Sequence, residues 1–135
     1  MMGRDLGAKP AIVGIGTDIV ECVRIANMIE KHEDVFLARV FTQREIAYCS
    51  SRRTATQHYA GRWAAKEAVL KVLGTGWSRG IQWTDVEIRN EIGGKPSIEL
   101  HGLAAQIAGE LGIREILISI SHCRTYAVAF ATGVR

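Results

Sequence analysis

The sequence has 135 residues, 47% of them hydrophobic and 23% charged, which is typical of one globular domain and argues against a disordered chain. Its formal net charge is only +3, and no apolar run approaches the roughly 18 residues of a membrane-spanning helix, so we expect no contact with a membrane. The three cysteines are scattered singly, which predicts reduced thiols and a cytoplasmic protein.

The first predicted element is a strand over residues 11–19. Its alternation places Asp18 on the same face as Gly14 and Gly16, opposite the larger apolar side chains. Glycine weakens a strand unless something must approach the backbone closely. Asp18 therefore has two interpretations: a site residue beside those glycines, or the N-cap of the next helix in a capping box with Glu21.

The elements that follow alternate between helical and strand patterns. Residues 20–31 are amphipathic, a charged break covers 31–36, and one or two short helices follow to residue 50, one of them with a capping box from Thr42 to Glu45. The longest predicted helix covers 55–73 and ends at a left-handed Gly74. A hairpin around Gly93–Gly94, a helix over 102–111 and strands over 115–122 and 125–131 complete the chain. This order predicts a compact, single-domain α+β fold with a largely antiparallel sheet packed against the long helix.

Basic residues are concentrated in the middle of the chain. Eight lie between Arg39 and Arg79, where only Glu45 and Glu67 oppose them. This pattern indicates either a solvated basic face or an anionic partner such as a phosphate ligand, an acidic protein or nucleic acid. For single-stranded nucleic acid, aromatic residues should be interleaved with the basic ones, and few are present.

Glu67 and Lys71 lie one turn apart on the longest helix. As an exposed pair they would contribute only about 0.3–0.5 kcal/mol. Alternatively, Asp18 and Glu67 together would suit a hard cation such as Mg²⁺ at a phosphate site, with Arg62, Lys66 and Lys71 near the phosphate oxygens. No spacing rule connects Asp18 to Glu67, so both interpretations stay open on these grounds. The sequence contains no phosphate-binding P-loop, dinucleotide fingerprint or hydrolase triad.

Two motifs bear on that choice: Gly16-Thr17-Asp18 and Trp63-Ala64-Ala65-Lys66-Glu67-Ala68-Val69-Leu70-Lys71. They resemble the G-x-D and W-A-x-K-E-A-x-x-K motifs of the holo-[acyl-carrier-protein] synthases, the small group of 4′-phosphopantetheinyl transferases. The "GGKP" hairpin at 93–96 and the "SISH" strand at 119–122 also resemble that family. The resemblance runs from residue 12 to residue 131. It implies that residues 1–10 are an N-terminal extension and that 11–135 form one transferase domain.

The resemblance implies an activity in fatty acid biosynthesis. Similar enzymes transfer the phosphopantetheine arm of coenzyme A to a serine of apo acyl carrier protein and release adenosine 3′,5′-bisphosphate. Asp18 and Glu67 would be Mg²⁺ ligands and, with Lys71, the catalytic residues, and the glycines beside Asp18 would leave room for the ligand. Whether Glu67 or a water takes the serine proton stays open. The residues implied to bind coenzyme A are Arg62, Lys71, Gly74, Lys95, Pro96 and His122.

The resemblance also implies partners. The acidic carrier protein would dock on the first helix at Arg24 and Met28, and the family forms homotrimers with sites at subunit interfaces. For His122 the alternative is a packing role at the end of a strand. The rival functions are a different Mg²⁺-dependent enzyme acting on coenzyme A or a nucleotide, and a basic module that binds nucleic acid.

Overall fold

The computed structural model describes residues 10–135, so the predicted N-terminal extension lies, except for Pro10, outside the described residues. The elements follow the predicted order, with two short 3₁₀ turns between α3 and β2. Their bounds are β1 Ile12–Glu21, α1 Cys22–Val40, α2 Gln43–Ser50, α3 Ala55–Leu73, β2 Val86–Asn90, β3 Pro96–Leu100, α4 Gly102–Glu110, β4 Glu115–His122 and β5 Tyr126–Val134. None of the helices in this part of the chain is long and apolar enough to cross a membrane.

All strand pairs in residues 10–135 are antiparallel, and they form two sheets. One has the order β1-β5-β4 and the other is the β2-β3 hairpin. α3 packs against all three strands of the larger sheet, and the hydrophobic core surrounds it, with buried residues from all four helices and from both sheets. The α+β architecture with antiparallel sheets against a long helix is therefore confirmed. The single predicted sheet is divided in two because the hairpin pairs only with itself.

The glycines of β1 face α3. A Cβ on Gly16 would lie 2.0 Å from the Ala68 carbonyl oxygen, and one on Gly14 would lie 2.8 Å from the Val72 carbonyl oxygen. Both contacts are with helix backbone, which cannot move aside as a flexible side chain can. The expectation that these glycines leave room for a ligand is therefore wrong, because the helix fills the space that they leave.

A matched pair of glycine substitutions tests this packing. Gly16→Ala should destabilise the protein by about 3 kcal/mol, because overpacking against backbone forces α3 away from β1. Gly109→Ala is the control, since its Cβ meets nothing within 4 Å and alanine favours a helix over glycine by about 1 kcal/mol. Urea unfolding of both variants measures the difference. Equal stability of the two would contradict the close approach.

The junction between β1 and α1 differs from the prediction. β1 continues to Glu21, which pairs with Tyr126 of β5, and Asp18 pairs with Ala129 inside the sheet. Glu21 occupies the N-cap of α1 without a side-chain cap bond. The N-cap interpretation of Asp18 is therefore wrong, because pairing with β5 keeps the backbone extended for three more residues.

Other helix ends agree with the sequence. The break predicted over residues 31–36 is a kink within α1 at Glu33, whose φ is 45°. Thr42 and Glu45 form the predicted capping box at the start of α2. α3 ends at Gly74, whose φ of 74° is the predicted left-handed cap.

Candidate active site

The first group of predicted site residues lies where β1 meets the C-terminal half of α3. Lys71 Nζ donates a hydrogen bond of 2.7 Å to the Thr17 carbonyl oxygen and lies 3.4 Å from Asp18 Oδ1. The Lys71 side chain is 54% exposed and the Asp18 side chain 21%. Residues 10–135 contain no ion pair between Glu67 and Lys71, so Lys71 neutralises Asp18 instead.

Glu67 joins this group through the geometry of α3. It precedes Lys71 by one turn on the same helix face, about 6 Å along the axis. Its Oε1 accepts a hydrogen bond of 3.2 Å from the Trp77 indole. Asp18 therefore contacts the Lys71 ammonium directly, and Glu67 is connected to this contact by its position one turn before Lys71 on α3. Asp18 and Glu67 offer carboxylate oxygens from two adjacent elements, which is the type of ligand that a hard cation such as Mg²⁺ prefers.

A second group lines a cleft of about 160 Å³ at the other half of α3. It brings together Arg62, Pro96 and His122, which come from three separate parts of the sequence. Lys95 immediately precedes Pro96 in the hairpin turn. The His122 pKa is lowered by burial and by the neighbouring His58, which favours the neutral imidazole.

Arg62 is the arginine that lines this cleft. It is only 4% exposed, and its guanidinium lies 4.3 Å from the Tyr48 ring centroid. The guanidinium also donates a hydrogen bond of 2.5 Å to Asn90 Oδ1. Its Nε is buried and lacks a hydrogen-bond partner within the described residues. A buried donor without an acceptor is costly, so a ligand oxygen in the cleft would satisfy it.

The two groups do not meet within one chain. Arg62 and Lys71 are nine residues apart on α3, which places them about 14 Å apart along the axis and on opposite faces. Gly74 caps the end of α3 that carries Lys71. The structure therefore divides the predicted site into a carboxylate group (Asp18, Glu67, Lys71 and Gly74) and a cleft group (Arg62, Lys95, Pro96 and His122).

The predicted docking residues lie on α1 beside a row of stacked aromatic rings. Arg24 lies 5.7 Å from the Trp63 ring centroid, and Met28 lines a mostly apolar pocket of about 280 Å³ with Trp63. The ring of Trp63 stacks on that of Trp83 with 4.3 Å between the ring centroids, and the centroids of Trp83 and Trp77 are 3.9 Å apart. The Trp77 indole donates a hydrogen bond to Glu67, so the row of tryptophan rings connects the α1 surface to the carboxylate group. Sequence reasoning missed Trp77 and Trp83, because only the fold brings these loop residues to the helix.

Lys66 is not available to a phosphate. It is fully buried, pairs with Glu45 Oε1 at 2.9 Å and donates to the Trp83 and Val86 carbonyl oxygens. Glu45 Oε2 accepts from the Ile88 amide at 3.0 Å. The interpretation of Lys66 as a phosphate ligand is therefore wrong, since it connects α3 to α2 and the hairpin inside the core.

Another cluster of possible metal ligands lies on the hairpin and was missed from the sequence. One ligand atom each of Glu87, Glu99 and His101 lies within 4.8 Å of the others. Each carboxylate already has protein partners: Thr42 donates to Glu87 and Arg89 to Glu99. The hairpin register, which pairs Glu87 with Glu99, is the signal that could have found it. Because each carboxylate already accepts a hydrogen bond from the protein, the cluster has a structural role. The bond from Thr42 to Glu87 connects the hairpin to the start of α2.

Comparison with known proteins identifies the class to which this fold and these motifs belong. The model of the 4′-phosphopantetheinyl transferase superfamily matches residues 14–131. The holo-[acyl-carrier-protein] synthase of Rhodopirellula baltica is 51% identical over 120 residues, which are 89% of this chain and 95% of that protein. The chain therefore belongs to the holo-[acyl-carrier-protein] synthase family of that superfamily, as its two motifs predicted.

Solved structures of the family share the fold. The holo-[acyl-carrier-protein] synthase of Neisseria meningitidis is 31% identical and superimposes with a TM-score of 0.83, covering 92% of this chain and 99% of that one. The Bacillus anthracis enzyme, solved in complex with CoA (3′,5′-ADP), is 34% identical with a TM-score of 0.75, covering 91% of this chain and 96% of that one.

Proposed function

We propose that this chain transfers the 4′-phosphopantetheine group of coenzyme A to a serine hydroxyl of apo acyl carrier protein, releasing adenosine 3′,5′-bisphosphate, in the cytoplasmic synthesis of fatty acids. The observation that carries the proposal is the contact between Asp18 and Lys71, with Glu67 one turn before Lys71 on α3, in a member of this family. Such a transfer needs in-line positioning and charge neutralisation more than covalent help from the protein. The free thiols of all three cysteines fit a reducing compartment.

Asp18 and Glu67 would hold Mg²⁺. When bound, the ion supplies positive charge that stabilises the phosphate oxygens of the reacting group. Lys71 adds a second positive charge from the same face of α3, and the Trp77 indole orients the Glu67 carboxylate. A bound cation would lower the basicity of Glu67, so the same carboxylate is a poorer base when it holds the ion.

Lys71 is expected to act on the phosphate and to contribute little to stability. Lys71→Met should leave the protein folded, because the side chain is half-exposed, but it should lower kcat and weaken coenzyme A binding. Lys71→Arg should restore activity only in part, since a planar guanidinium cannot replace a compact ammonium at close range. Steady-state kinetics with calorimetric coenzyme A binding measure both effects. An unchanged kcat and affinity in Lys71→Met would leave the residue with a surface role only.

The cleft group would bind the adenosine end of coenzyme A. The unpartnered Arg62 Nε and the basic hairpin turn at Lys95 offer donors for its phosphates. The Bacillus anthracis relative was solved with CoA (3′,5′-ADP), which supports coenzyme A as the ligand here.

The separation of the two groups supports a homotrimer with its sites at subunit interfaces. The outer face of the larger sheet carries exposed apolar side chains, among them Ile15 at 71% and Phe130 at 59%. Burying this face against other copies would remove apolar area from water and would let the cleft group of one copy face the carboxylate group of its neighbour. Light scattering of the purified chain should give three times the mass of one chain, and a monomer would contradict this arrangement.

Carrier docking is assigned to the surface formed by Arg24 and the apolar pocket at Met28. Arg24→Glu should raise the KM for carrier protein much more than the KM for coenzyme A, because it repels an acidic partner. Added salt should raise the carrier KM of the wild type in the same way, since exposed charges are screened beyond about 8 Å at physiological ionic strength. Arg114→Glu is the matched control: it makes the same charge reversal at an exposed residue between α4 and β4. Equal effects of the two variants would contradict docking on α1.

One assay separates this function from its rivals. Release of adenosine 3′,5′-bisphosphate should require apo carrier protein, whereas a hydrolase acting on coenzyme A would release it without a carrier. A carrier whose acceptor serine is replaced by alanine is the control. Release that is independent of carrier would overturn the proposal.

A further inference from the structure

Two cysteines from distant parts of the sequence lie side by side in the fold. Cys22 begins α1 and is buried, and its Sγ donates to the main-chain oxygen of Cys123 at 3.7 Å. Cys123 is exposed in the turn between β4 and β5. The two backbones are held there by hydrogen bonds from Cys22 N to Thr125 O and from Cys123 N to Tyr126 O. A rotation of the exposed Cys123 side chain can therefore bring its sulfur towards the Cys22 thiol.

The two thiols have unequal chemistry. The backbone amides of Tyr126 and Thr125 lower the pKa of Cys123, which favours its thiolate in water. Burial raises the pKa of Cys22, and the neighbouring Cys123 sulfur raises it further. An exposed thiolate beside a buried thiol is the arrangement in which one cysteine is oxidised first and the other resolves it.

We propose that Cys123 and Cys22 are a redox-sensitive pair that closes into a disulfide on exposure to a hydroperoxide. The Cys123 thiolate attacks the terminal peroxide oxygen, the O–O bond breaks, and hydroxide or an alkoxide leaves, giving a sulfenic acid. The Cys22 sulfur then attacks the Cys123 sulfur, the S–O bond breaks, and the proton of Cys22 leaves with the hydroxyl as water. Two electrons pass from the two thiols to the hydroperoxide.

The bond would act on the carrier surface, an effect that rests on the proposed function. Forming it draws Cys22 out of its buried position and shifts the first turn of α1, which carries Arg24 two residues later. It also fixes the turn immediately after His122 of the cleft group. Oxidation should therefore raise the KM for carrier protein several-fold, and a thiol reductant should reverse it.

Mass spectrometry tests the bond itself without any activity measurement. The full-length protein is reduced, treated with hydrogen peroxide, alkylated and digested with trypsin, which places the three cysteines in separate peptides covering residues 5–24, 45–52 and 115–124. We expect a cross-linked pair of the first and third peptides that disappears on reduction. A disulfide between two chains, or over-oxidation of Cys123 without the cross-link, would overturn the proposal.

Three variants complete the test. Cys123→Ser should abolish the cross-link, and Cys22→Ala should leave a sulfenic acid on Cys123 that a dimedone probe captures. Cys49→Ser is the control and should leave the cross-link unchanged, because Cys49 is fully buried in α2 and burial raises its pKa to about 12. If Cys22→Ala fails to fold, the dimedone time course of the wild type replaces it, and labelling at Cys123 must precede the cross-link.

Transfer assays on the reduced and the oxidised protein test whether the disulfide weakens carrier docking. Carrier KM should rise in the oxidised wild type and stay constant in Cys123→Ser after the same peroxide treatment. Absence of transfer in the reduced protein would refute the proposed function and leave the cross-link standing. An oxidised wild type with full carrier affinity would refute the effect on docking.

Discussion

Asp18→Ala and Glu67→Ala should each lower kcat for phosphopantetheine transfer by about 100-fold or more, because each would remove one of the two proposed ligands of the cation that would neutralise the reacting phosphates. Both proteins should stay folded. The Asp18 partner, Lys71, is half-exposed and can turn to water, and Glu67 loses only one hydrogen bond to Trp77. Transfer rates at saturating Mg²⁺, with circular dichroism as a check of folding, measure the effect.

Glu110→Ala is the matched control for these two variants. Glu110 is an exposed carboxylate whose contact with Arg79 is 3.9 Å long and open to solvent, so its loss should change neither rate nor stability measurably. Raising the Mg²⁺ concentration should recover part of the activity of Asp18→Ala if affinity for the ion is what was lost. A Glu67→Ala protein that transfers at nearly the wild-type rate would mean that Glu67 has no part in catalysis and is only a surface residue.

The largest loss of stability should come from the buried pair of Lys66 and Glu45. Lys66→Met leaves the Glu45 carboxylate without its cation in the core and removes the ammonium donor from the Trp83 and Val86 carbonyl oxygens. Removing one partner of such a pair costs about 3–5 kcal/mol. Urea unfolding at neutral pH measures the loss as a lower midpoint with an unchanged slope.

Two further variants show whether the loss comes from the unpaired charge. Lys66→Met combined with Glu45→Leu should be more stable than Lys66→Met alone, because the Glu45 carboxylate is then no longer buried without its cation. Arg89→Ala removes an exposed pair with Glu99, 2.6 Å long, and should cost less than about 1 kcal/mol. A Lys66→Met protein as stable as Arg89→Ala would mean that the buried pair contributes nothing beyond a surface contact.

The elements that the sequence predicted well are those with strong local signals. The Gly74 cap, the Thr42 capping box and the glycine hairpin each depend on residues within one turn or one loop, so local chemistry decides them. The N-cap interpretation of Asp18 failed for the opposite reason. Its capping box with Glu21 is a valid local pattern, but the partner strand β5, more than 100 residues later, decides the backbone conformation.

The candidate site shows the same limit. Asp18 and Glu67 could be connected only through the motifs of a family, because the contact between β1 and α3 is not encoded in any spacing. Lys66 was misread because a lysine in a basic region resembles its exposed neighbours, and only the fold shows that Glu45 pairs with it in the core. Trp77, which orients Glu67, lies in a loop with no periodic signal.

The most direct test of the proposed function is the mass of the carrier protein after the reaction. Apo acyl carrier protein is incubated with this chain, coenzyme A and Mg²⁺, and the intact carrier is weighed beside parallel reactions with Glu67→Ala and without metal. We predict that the wild type adds one phosphopantetheine group to the acceptor serine and that neither parallel reaction does so at a comparable rate. A carrier whose mass stays unchanged with folded wild-type protein, or that is modified equally by Glu67→Ala, would contradict the account.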